Sequence, residues 1–172
     1  MSLSFVAGSA ADVFPPDFAR SVDAELRKRH PELGDGNQEA WQSDVVEPAG
    51  WQQLQQLATS MLGAGRPSQL AGVEAYQMVW VPAVFANVEH IAIPNAADPL
   101  QVGSLPALVE ELRLFAAAAS LPTDDVELME LAAHYLEDDL SFDQDLEIQT
   151  YVQLMLAAKQ ASARGQALWI AG

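Results

Sequence analysis

The chain has 172 residues, half of them hydrophobic and 19% charged, with 24 Asp and Glu against 8 Lys and Arg and a formal net charge of −16. A chain of this length buries about two thirds of its unfolded surface without staples, and its composition is that of a folded domain. With no cysteine it has no disulfide, thiolate nucleophile or Cys-ligated metal, and with so few cations it lacks the clustered charge that binds nucleic acid or anionic lipid.

Leu3 to Val6 is a short apolar run that predicts an opening strand. Pro15 and Pro16 mark a helix start, and Phe18, Val22 and Leu26 recur every four residues along one face. The cations Arg27, Lys28 and Arg29 and His30 close that helix before Pro31, where positive charge suits the helix dipole. Residues 31–48 read as a loop pinned by Trp41. A second helix is expected over 49–62, with Gly63 and Gly65 ending it.

From Val73 to Val81 the pattern has period two, which predicts a strand with Tyr76, Met78 and Trp80 on one face. Val88 to Ile93 is a second β-like stretch, with a hairpin between the two as the expected pairing and a loop over 95–103. Ser104 is a candidate N-cap for a third helix whose apolar stripe runs through Leu105, Leu108, Leu112, Phe115 and Ala119. A fourth helix is expected from about Thr123, with Asp124, Asp125 and Glu127 at its N-terminal end. Ser141 and Gln144 have capping-box spacing for a fifth, which runs to about Arg164 and stops at Gly165. Leu168 to Ala171 predicts a closing strand, a neighbour of the opening one. The sum is a single α+β domain over residues 1–172, about five helices packed on a small, mainly antiparallel sheet.

Catalytic motifs fail on inspection. There is no Gly-x-Ser-x-Gly elbow, and Gly63 to Arg66 follows a helix instead of opening one, so it forms no phosphate cradle. Asp139, Ser141, Asp143 and Asp145 imitate half of a calcium loop, but Gln144 replaces the turn glycine and Thr150 the bidentate glutamate. No cofactor is implied.

Two constellations remain. On the fourth helix Glu127, Glu130, His134, Glu137 and Asp138 share a face by three- and four-residue spacings. Glu130, His134 and Glu137 are candidate metal ligands if a second element, bearing Glu89 and His90 or Glu110 and Glu111, supplies the rest. A solvated acidic face is the competing reading. More broadly, the chain from Asp124 to Glu147 is rich in acids and has no Lys or Arg. Glu127, Glu130, Glu137, Asp138, Asp139, Asp143 and Asp145 there are candidate contacts for a basic protein partner, steered by charge. Against this, the basic end of the first helix could pack nearby and neutralise them.

The leading functional expectation is therefore a non-enzymatic interaction or regulatory module. A metal-dependent enzyme and a small-molecule binder built on Tyr76, Met78 and Trp80 are the alternatives. No nucleic-acid or membrane partner is expected, a homodimer is compatible with the apolar content, and the absence of cysteine suits the cytoplasm. No stretch resembles a signal peptide or reaches the ~20 apolar residues of a membrane span.

Overall fold

The strand runs near the two ends of the chain meet at the centre of the molecule. In the computed structural model, which describes residues 1–34, 38–137 and 145–172 and only the backbone of Glu137, β1 (Ser4–Gly8) pairs antiparallel with β6 (Ala167–Ala171) along its whole length. Around this pair β2 (Trp41–Gln42), β3 (Met78–Val81), β4 (Glu89–Ile91) and β5 (Leu100–Ser104) complete one open sheet in the order β2-β1-β6-β3-β5-β4. Among the described residues only β3 and β5 run parallel; the other pairings are antiparallel.

The sheet is covered on both faces, which explains why its strands read as short apolar runs. Phe5, Ala7, Met78, Trp80, Leu168 and Ile170 point to one side, where they meet α2 (Pro48–Leu62), α3 (Leu105–Ala119), α4 (Asp125–Glu137) and α5 (Leu146–Arg164). Val6, Val79, Val81, Val102 and Trp169 point to the other, under α1 (Pro16–Arg29) and the segments carrying Phe85 and Ile93. One sheet with helices on both faces makes a single α+β domain.

Helix α5 is the hub of the four-helix layer, buried at Tyr151, Val152, Leu154, Met155, Ala157, Ala158 and Ala161. It crosses α2 at Gly50, where an added Cβ would lie 2.4 Å from Thr150 Oγ1 and 2.6 Å from the Leu146 carbonyl oxygen. Only glycine permits so close an approach. Gly165, at φ +64°, turns the chain from α5 into β6. Among the described residues no helix is long and apolar enough to cross a membrane.

The expected strand over 73–81 forms only in its second half. Ala75–Gln77 is a 3₁₀ turn instead, because side-chain bonds compete there with a ladder: Gln101 Oε1 accepts from Glu74 N at 2.7 Å. The expected hairpin is also replaced. β5, read from sequence as part of a loop, lies between β3 and β4 and pairs with both. The capping box at Ser141 and Gln144, and most of the calcium-like loop, fall outside the described residues.

Candidate functional site

Helix α4 is anchored along one side only. Asp124 Oδ1 accepts from the backbone amides of Val126 and Glu127 at 3.0 and 3.2 Å, capping donors that the first helical turn leaves open. Leu128 is fully buried, with Leu131 and Ala132 packed beside it against the core. Lys159 on α5 binds Asp125 Oδ1 at 2.6 Å and also donates to the Thr123 carbonyl. Tyr151 donates its hydroxyl to the Pro122 carbonyl oxygen at 2.7 Å, fixing the α3–α4 turn. Burial pushes the Tyr151 pKa up to about 12.

The rest of the α4 circumference divides into two parts. Glu127, Glu130 and His134 are exposed and, with Ser120, Leu121 and Pro122 of the turn, line a shallow depression. Beside them Val126, Met129 and Leu136 are each 63% exposed, with Ala133 exposed between them. Steps of three, four and three residues stack these side chains into one continuous apolar stripe. The carboxylates therefore edge a bare apolar face that their own spacing in the sequence did not reveal. The same spacing rule finds this stripe in the sequence once the inward face has been assigned to Leu128, Leu131, Ala132 and Tyr135.

Little within the protein neutralises these acids. Among the described residues Asp125 has Lys159, while Glu127, Glu130, Asp145 and Glu147 form no ion pair. The basic end of α1 lies across the sheet and is engaged elsewhere: Arg27 with Asp23 at 2.8 Å, Lys28 with Glu25 at 2.7 Å and Arg29 with Glu89 at 3.2 Å. It does not neutralise α4. Partial burial raises the Tyr135 pKa, and the neighbouring Asp145 carboxylate, 3.4 Å from its hydroxyl, raises it further. Asp138, Asp139 and Asp143 lie outside the described residues, as does the side chain of Glu137.

The proposed partner elements for a metal stand apart from His134 in role. Glu89 is held by Arg29, and His90 Nε2 lies 3.5 Å from the Gln101 amide on the sheet edge. Glu110 is exposed, whereas Glu111 is buried in a network of its own. Its carboxylate accepts from Arg66 Nη2 at 2.9 Å, from Ser68 Oγ at 2.7 Å and from Gln69 N at 2.6 Å. Among the described residues no group of three His, Asp or Glu side chains is arranged to hold a metal ion.

Tyr76, Met78 and Trp80 do not share a pocket wall. Met78 and Trp80 are buried in the core beneath the four helices, and the Trp80 indole donates to the Gln69 carbonyl at 3.2 Å. Tyr76, on the 3₁₀ turn, is 47% exposed and borders a surface hollow with Trp51 and Gln55 of α2.

The fold is thus that of a mixed-sheet α+β domain. Comparisons with known proteins find no matching family, no matching curated protein and no matching solved structure.

Proposed function

We propose that the protein is a non-enzymatic interaction module whose α4 receives a basic, amphipathic segment of a partner protein. The observation that carries this reading is the exposed stripe Val126, Met129 and Leu136 running beside the carboxylates of Glu127 and Glu130, which form no ion pair among the described residues. An amphipathic helix laid along α4 would seat its apolar side chains on the stripe and its Lys or Arg side chains on the carboxylate edge. Covering such a side chain fully contributes about 1.5–3 kcal/mol, so three of them supply affinity while the charge supplies steering. The chain's net charge of −16 favours the same sign of partner. A cysteine-free chain of this kind suits the reducing cytoplasm.

The test is a fluorescence-anisotropy titration with a labelled Lys/Leu amphipathic helical peptide, at low and at high salt. Binding is expected to weaken with salt, and to fall at least tenfold in Met129→Gln and in Leu136→Gln. A peptide with its lysines replaced by glutamate is expected not to bind. Equal affinity for the two peptides, or indifference to both stripe substitutions, would overturn the reading. Sedimentation of the protein alone separates the homodimer, in which a second copy covers the stripe.

A metal-dependent reading survives only if residues beyond those described complete the set begun by Glu130 and His134, with Glu137 as the third candidate. Metal analysis of protein purified without chelator, followed by His134→Ala, tests it: a bound divalent ion lost in the variant would favour that reading.

A further inference from the structure

On the opposite side of the sheet, α1, the turn before it and the α5–β6 turn enclose a cleft of about 450 Å³. Its size is that of a small-molecule site. The apolar part of its wall comes from Phe14, Leu26, Leu33 and Trp169, with the Phe14 ring edge-on to the Trp169 indole at 5.7 Å between centroids.

Among the described residues the charge lining this cleft inverts that of the protein. The whole chain has 24 acids against 8 cations, yet the described part of the cleft wall has Arg20, Arg27 and Arg164 against Asp23. Part of this charge holds the protein together: Arg27 binds Asp23 and donates to the carbonyls of Leu33 and Gly34 at 2.9 and 2.6 Å. Arg164 is different. It donates Nη1 to the Glu39 carbonyl at 2.8 Å, and its other donors have no acceptor among the described residues.

We infer that this cleft binds a small organic carboxylate with an aromatic or aliphatic body. The body lies against Phe14 and Leu33, and the carboxylate pairs with the guanidinium of Arg164, which suits planar bidentate recognition. Arg20, exposed at the rim and paired with Asp17, adds attraction for the anion. The inference is independent of the α4 reading, since the cleft and α4 lie on opposite faces of the sheet.

The test is an amide and indole NMR titration of the full chain with N-acetylphenylalanine and with its neutral carboxamide. Saturable shifts are expected at Trp169 and at residues 164–167 with the acid, and at least tenfold weaker binding of the carboxamide. Arg164→Gln is expected to weaken the acid at least tenfold while leaving the spectrum of α3 and α4 unchanged. Arg20→Gln, on the exposed rim, is expected to weaken it less. Equal binding of acid and carboxamide, unchanged affinity in Arg164→Gln, or no saturable shift up to about 10 mM, tenfold beyond a millimolar affinity, would overturn the inference.

Discussion

Helices α3 and α4 follow one another in the chain, and both carry glutamates, but the two sets are used in opposite ways. Glu111 of α3 is 4% exposed, and its carboxylate collects a guanidinium, a hydroxyl and a backbone amide from the segment that follows α2. That segment is tied in turn to the sheet, because the Gln69 side-chain oxygen accepts from Ser104 N at 2.8 Å while its amide donates to the Ala86 carbonyl. Among the described residues Glu127 and Glu130 of α4 have no such company, and they are exposed beside an apolar stripe. A carboxylate in the interior is retained because its neighbours satisfy it; one at the surface beside exposed Met and Leu is free to satisfy something else. Residue type alone does not distinguish the two, but burial and partners do.

The largest expected effect is on the α3 side. Glu111→Ala removes the acceptor for Arg66, Ser68 and Gln69 and should cost about 3–5 kcal/mol, as expected when one partner of a buried pair is deleted. Urea unfolding measures it, and a loss below about 1 kcal/mol would show that the network is not a strut.

Next comes the tyrosine that fixes the turn between the two helices. The Tyr151 pKa is raised from 10.0 to about 12 by burial, so the folded state holds that proton more tightly than the unfolded chain. Its contribution is whole below pH 10 and is lost as pH rises toward 12, about 2–3 kcal/mol in total at 1.36 kcal/mol per unit. In Tyr151→Phe this part of the alkaline decline should vanish, which unfolding curves at pH 9 and at about pH 11 would reveal.

Lys159→Met, which removes the ion pair with Asp125 and the bond to Thr123, should cost only about 0–1 kcal/mol in the same assay, since the carboxylate partner is mostly exposed. Smallest of all, Glu130→Gln should leave stability within about 0.5 kcal/mol of the parent. The contrast between Glu111 and Glu130 would collapse if the two substitutions had similar effects.

Much of the fold was legible in the sequence because local signals agreed with the tertiary outcome. The stripe from Leu105 to Ala119, the Ser104 cap that accepts from Ala107 N at 3.2 Å, and the stop at Gly165 are all local features. The neighbouring terminal strands were also anticipated, and they pair in full register. What escaped were β2, the short strand Trp41–Gln42 inside a stretch read as a loop, and β5, Leu100 to Ser104, whose Gln, Gly and Ser look like loop residues until the sheet encloses them. Gly103 held the clue. A Cβ there would lie 2.5 Å from Gln69 Oε1 and 2.6 Å from both Met78 Cε and Trp80 Cδ1, and an isolated glycine in a strand often marks such an approach.

The candidate site was half legible. The acids of α4 were found by spacing, but the apolar stripe beside them could be distinguished from core only after the inward face was known. The cleft under α1 was invisible for a different reason: its described walls come from residues 8–34, from Gln38 and from residues 164–169, which the β1–β6 pairing helps bring together.

The most direct test of the interaction reading is to record backbone amide shifts while adding the basic amphipathic peptide. The account predicts the largest changes along Val126 to Leu136, with the amides around Glu111 and Gln69 unmoved. Small changes spread over acids throughout the surface, with none concentrated on α4, would contradict it.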